Sequence, residues 1–179
     1  NSGKDQIIII GDMPYWDENI NIEPFYKKYN KYLEIISSFH KSYDLIYINH
    51  PSSDEEKNYE IDRLNLNNFK IIKNLSCENY VYSNPEVKIT FSINSTTTLI
   101  LNQVGVKSFT LYKLFSNNEI GKRYKKRQDL RWRIEKKYGK FHLTNENEIA
   151  KVINNSTNMK QYNLDSKIVK HYDQKLNFL

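Results

Sequence analysis

The sequence predicts an α/β fold, a doubly wound parallel sheet. Three observations carry that expectation. Short continuous apolar runs such as "QIIII" and "DLIYI" read as strands buried on both faces. Segments with apolar residues at helical spacing alternate with them. The breaks between the two are filled by Gly, Pro, Asn and Ser, the residues that punctuate such alternation.

Residues 6–10 form the first strand, ended by Gly11. Residues 22–40 follow as a helix, with Phe25, Tyr29, Leu33, Ile36 and Phe39 on one stripe. Residues 44–48 are the second strand. A short helix is expected near 54–63, where Ser52 and Ser53 each precede a Glu by three residues, as in a capping box. The third strand is 69–73, and a helix over 76–84 stops near Pro85. The fourth strand, 88–93, leads into a helix that opens at Ser95 and ends at Gly105. Residues 107–114 read as a fifth strand, 118–138 as one long basic helix stopped by Gly139, and 140–144 as a short strand or loop. Helices near 145–154 and 164–177 close the chain, so residues 1–155 form the α/β unit and 156–179 a linker and terminal helix.

The chain of 179 residues has one cysteine, Cys77, which excludes an intrachain disulfide. No His/Cys spacing suits zinc, so neither a structural metal nor a cofactor is expected. No apolar run approaches the ~20 residues of a membrane span. Net charge is +6, concentrated in "GKRYKKRQDLRWRIEKK" at 121–137. That segment reads either as a solvated helix face or as a peripheral contact with an anionic partner, membrane lipid or glycan; no nucleic-acid-binding motif accompanies it. Abundant Asn, Lys, Ile and Tyr point to an AT-rich, bacterial genome. The chain starts "NSGKDQ", without Met, and enters a core strand at once, so we read it as a piece of a longer protein.

Ligands of open α/β sheets bind at the carboxyl ends of the strands. On that rim the sequence places Gly11 and Asp12 after strand one, His50 and Pro51 after strand two, Asn74 to Glu78 after strand three, and Asn94, Ser95, Thr96 and Thr97 after strand four. "NSTTTL" puts hydroxyls at a helix start, where a simple N-cap and an anion site are both open readings. Three successive threonines are poor helix formers, a local cost that binding would explain. His50, held before a proline, is either a strand-end histidine bonded to a carbonyl or an imidazole aimed at a phosphate. Glu78 is either a first-turn acid or a receiver of ribose hydroxyls. Tyr15, Trp16, Asp17 and Glu18 form an aromatic and acidic loop after strand one. Cys77 reads as a small buried apolar residue, and His142 as structural or surface. No GxGxxG and no Walker A pattern follows any strand.

The ordered set "YINHP", "NLSCENY" and "SINSTTTL" resembles the C-terminal, donor-binding domain of bacterial sialyltransferases of the two-domain GT-B type, over roughly residues 6–115. The resemblance implies the Rossmann-like half of a glycosyltransferase that uses CMP-sialic acid. Transfer would be inverting and metal-free, and the acceptor a surface glycan such as lipooligosaccharide or capsule. It assigns His50 to the leaving CMP phosphate as catalytic group, Ser95 and Thr96 to the same phosphate, Glu78 to the ribose, and Gly11 to close approach of the nucleotide. The family's acidic-pair-Gly motif, which supplies the base, does not occur here, so an N-terminal partner domain is expected to bring it. The implied location is the bacterial cytoplasm or the inner face of its membrane. Two alternatives stay open: another capsule or lipopolysaccharide transferase using a Kdo or UDP-sugar donor, and a non-catalytic nucleotide- or glycan-binding module.

Overall fold

A computed structural model describes residues 3–12, 22–50, 59–131 and 141–156. The elements run in the order β1 (Gln6–Ile10), α1 (Glu23–Ser37), β2 (Asp44–Ile48), α2 (Tyr59–Arg63), β3 (Phe69–Ile72), α3 (Cys77–Ser83), β4 (Val87–Ser92), α4 (Thr97–Gln103) and β5 (Lys107–Thr110). A 3₁₀ turn (Tyr112–Leu114), α5 (Asn117–Ile120), α6 (Lys122–Arg131) and α7 (Asn147–Asn154) follow.

The five strands form one sheet in the order β3-β2-β1-β4-β5. Every pairing is parallel, with Ile8 opposite Ile46 on one side and Thr90 on the other. Side-chain alternation along β1 explains the two layers. Ile7 and Ile9 face a core shared with Phe25, Tyr29, Leu33 and Ile36 of α1 and with Ile149 and Ile153 of α7. Ile8 and Ile10 face the opposite core, with Cys77, Tyr80 and Val81 of α3 and Leu101 of α4. All five residues of β1 are buried, as expected for a central strand covered on both faces. The doubly wound α/β architecture is therefore the one the alternation of runs predicts.

Two expected elements differ. The fifth strand stops at Thr110 rather than running to residue 114. Leu111, Tyr112 and Phe115 are apolar because they are core residues of the turn that follows, not because the strand continues. The long basic helix is broken at Gly121, which lies at φ 77°, outside helical space, between α5 and α6; its expected end at Gly139 lies outside the described residues. Ser116 and Glu119 close a capping box that restarts the chain as α5. Residues 141–143 begin a sixth parallel track: Thr110 N–H donates to Phe141 O at 2.8 Å and Leu143 N–H to Thr110 O at 3.1 Å.

Gly105 ends α4 at φ 82°, with Val106 N–H donating to Leu101 O and Gly105 N–H to Asn102 O, a Schellman closure. Ser156 is stitched to the body by Tyr43 Oη at 2.9 Å and by Lys107 Nζ, which donates to its carbonyl. The α/β unit thus extends through that residue. The expected capping box at Ser52 and Ser53, the loop carrying Tyr15 to Glu18, and the helix at 164–177 lie outside the described residues.

Candidate functional site

The order of the sheet reverses between β1 and β4, and that is where the crevice of an open α/β sheet lies. Gly11 and Asp12 leave β1 on one side of it, and Asn94 to Thr97 leave β4 on the other. The two sides touch: the Asn94 backbone N–H donates to Asp12 Oδ2 at 2.6 Å. Asn94 is itself buried, so this bond closes the base of the crevice.

His50 is half-buried at the end of β2, beside β1. Its N–H donates to the side-chain oxygen of Asn49, at 3.1 Å, and the N–H of Asn49 extends the β2–β3 ladder to Ile72 O at 2.9 Å. Gly11 N–H donates to Ile48 O at 2.7 Å. A Cβ on Gly11 would sit 2.8 Å from His50 N, 2.9 Å from Ile48 O and 3.0 Å from the Tyr47 hydroxyl. The glycine is therefore required by the close approach of the β2 backbone. This accounts for Gly11 without the nucleotide approach that the resemblance implies. Pro51 lies outside the described residues.

Glu78 stands in the first turn of α3, whose N-cap Ser76 accepts from Asn79 N–H at 3.2 Å. Its carboxylate accepts a short hydrogen bond from the Thr97 hydroxyl, so two of the expected site residues meet directly. Asn74 is exposed at φ 58°, after the edge strand β3.

In the β4–α4 loop four amides between Asn94 and Thr98 are taken by the chain's own oxygens. Asn94 N–H goes to Asp12, Ser95 N–H to Ser92 Oγ at 3.1 Å, Thr97 N–H to Ser95 Oγ at 3.2 Å, and Thr98 N–H to Ser95 O. Ser95 Oγ takes the Thr97 amide, but the N-cap is Thr96, itself in helical geometry, and the helix begins at Thr97 rather than at Ser95. Two of the three threonines are explained without a ligand. Thr97 bonds Glu78, and buried Thr98 shares a 2.9 Å hydrogen bond with Ser92. Thr96 alone presents an exposed hydroxyl, and its side chain makes no capping bond.

Ser92 is the residue that reading the sequence missed. It is fully buried at the end of β4 and its oxygen serves both the Ser95 amide and the Thr98 hydroxyl. The signal was present as a hydroxyl inside an otherwise apolar strand. Farther down the same face, Thr90 and Ser108 lie 2.5 Å apart, and Asn102 of α4 bonds both the N–H and the carbonyl of Ser108. The β4–β5 side of this face is thus a buried polar layer under α4.

Burial, and next the Glu78 charge, push the Cys77 thiol well above its ordinary range, so it is no nucleophile. His142 is fully buried, with Nδ1 2.5 Å from Thr110 Oγ1, and burial together with Lys113 pushes it down to about 3. It is a neutral core histidine. His40 bonds Ser37 O at the exposed end of α1. Among the described residues no group of three His, Cys, Asp or Glu side chains could hold a metal, and no helix is long and apolar enough to cross a membrane.

Among the described residues the rim brings together the His50 imidazole, the exposed Thr96 hydroxyl and the carboxylates of Asp12 and Glu78, which bond the Asn94 amide and the Thr97 hydroxyl. Comparison of the chain with protein-family models and with curated proteins finds no match.

Proposed function

We propose that this chain is the donor-binding half of a sialyltransferase-like glycosyltransferase that takes CMP-sialic acid. The observation that supports it best is the meeting of strand-end groups at the reversal of strand order, where Asp12 bonds Asn94 and Glu78 bonds Thr97. In this reading the Glu78 carboxylate, already oriented by Thr97, receives the ribose hydroxyls. Ser95 and Thr96 border the phosphate, and Thr96 gives it a hydroxyl. His50 faces the leaving phosphate. As the glycosidic bond breaks, negative charge grows on CMP, and a cationic or proton-donating imidazole stabilises that charge more than it stabilises the bound donor. The acceptor hydroxyl would be activated by a carboxylate from another domain of the same enzyme. The acceptor is a glycan, and no cofactor enters this scheme.

Calorimetric titration tests the reading. CMP should bind in preference to UMP, and Glu78→Gln should weaken CMP by about tenfold, the loss of roughly one charge-assisted hydrogen bond. Equal or absent binding of the two nucleotides would remove it. In an enzyme with both domains, His50→Ala should lower turnover ~10²–10⁴-fold with little change in donor affinity.

A second reading has its own observation. Three of the loop amides, those of Asn94, Ser95 and Thr97, donate to the chain's own oxygens, Asp12 among them. That suits a module that binds sugar hydroxyls without handling a phosphate. Cytidine binding as tightly as CMP would favour it.

A further inference from the structure

We propose that α6 is a docking face for a bilayer rich in anionic lipid, independent of the strand-end rim. The helix has six basic residues and one acid in its ten positions, in a chain whose net charge is +6. Its inner face is fixed to the body. Tyr124 and Gln128 are buried, Lys125 Nζ donates to Phe115 O at 2.7 Å, and Asp129 accepts from the Tyr112 hydroxyl at 3.1 Å. The one acid of α6, although exposed, is thus hydrogen-bonded to the body, and Glu119 on the preceding α5 is held by Lys28 at 3.0 Å. Lys122, Arg123 and Lys126 are exposed, and no acid among the described residues pairs with them.

That outer row works against its own helix. Lys122 and Lys126 are like charges four residues apart on it, a destabilising spacing, and Arg123 stands beside them. A polyanionic surface relieves the repulsion. Lipid is favoured over nucleic acid because the described outer row has only long cations. The aromatic ring and the amide of this helix, Tyr124 and Gln128, face inward, where neither can stack on a base or read its edge. A sheet of anionic headgroups requires charge alone. The exposed side chains described on this helix include the cations Lys122, Arg123 and Lys126, so docking is electrostatic and reversible rather than insertion.

Co-sedimentation with vesicles tests this. The protein should bind vesicles of phosphatidylglycerol and phosphatidylcholine at low salt, release at high salt as screening sets in, and ignore vesicles of phosphatidylcholine alone. The triple variant Lys122→Gln, Arg123→Gln, Lys126→Gln should bind the anionic vesicles about a hundredfold more weakly, the loss expected for three cations each worth about 1 kcal/mol at such a surface. Its melting temperature should be unchanged or higher, since repulsion is relieved, and its nucleotide affinity unchanged. Undiminished vesicle binding by the variant, equal binding to neutral vesicles, absence of any vesicle binding, or tighter binding of a duplex oligonucleotide than of the anionic vesicles would each overturn the proposal. None of these outcomes bears on CMP binding at the rim.

Discussion

Gly11 shows how one position can be marked by the sequence and still be explained by something distant. A glycine at the end of a central strand invites a ligand-based account, because only glycine lets another backbone come so close. The backbone that comes close is that of His50 and Ile48, 39 and 37 positions along the chain. Gly11→Ala must therefore push the end of β2 away from β1, or shift Asp12 and loosen its bond to Asn94. A cost of about 1–3 kcal/mol is expected, as for overpacking in a tight interior, measured by urea denaturation. Crosspeaks of His50 and Asn94 should move together in an amide spectrum of the variant. A stability change below about 0.5 kcal/mol would mean that the contact relaxes freely, and the ligand account of the glycine would regain its footing.

At the scale of elements, the strands were legible and their partners were not. Each of the first four expected strands falls within a residue or two of its observed bounds, because β-branched runs closed by Gly, Asn or Pro carry their own limits. The fifth failed at its far end for a physical reason. An apolar run says that residues are buried, and Leu111 and Tyr112 are buried in a 3₁₀ turn. The helix break at Gly121 was hidden because the amphipathic pattern continues across it. That Asp12 and Asn94, and Glu78 and Thr97, lie after parallel strands was legible from the rule that such loops converge. The pairs Asp12–Asn94 and Glu78–Thr97 were not, since they join residues 82 and 19 apart. Ser92 is where these pairings depend on the sheet. Ser92→Ala would leave the Ser95 amide and the buried Thr98 hydroxyl without that oxygen, at a cost of about 1–3 kcal/mol. The loss should appear as faster amide exchange at Ser95 and Thr98 and not at α1. If exchange in α1 accelerates equally, Ser92 supports global stability alone and has no special hold on the loop.

For the whole molecule, two ties among the described residues, one buried and one half-buried, weaken with acid, the first from a higher pH than the second. The first is His142, which joins the sixth track to β5 through Thr110 and is pushed down to about 3 by burial and by Lys113. Below the ordinary histidine pKa of about 6.5 the unfolded chain takes up a proton that the native chain refuses. The contribution of His142 to stability therefore falls as pH drops from there toward about 3, by up to about 1.4 kcal/mol per unit. The second is Glu119, which joins α5 to α1. Burial alone would raise it, yet hydrogen bonds from Ser116 and Lys28 hold it below the usual carboxylate range. Its contribution is complete above the ordinary carboxylate pKa and is lost as pH falls through the depressed native value. Acid thus weakens the fold first through the histidine, then through the glutamate. His142→Asn should lower stability at pH 7.5, because the ring packs against Tyr112 and Phe141 at 5.2 and 4.6 Å. The same variant should flatten the decline between pH 6.5 and 4.5. Glu119→Gln should leave that upper decline intact and flatten the part below it. Urea midpoints for both variants across that range decide the matter. A His142→Asn curve parallel to the wild-type curve would show that another group takes up the proton.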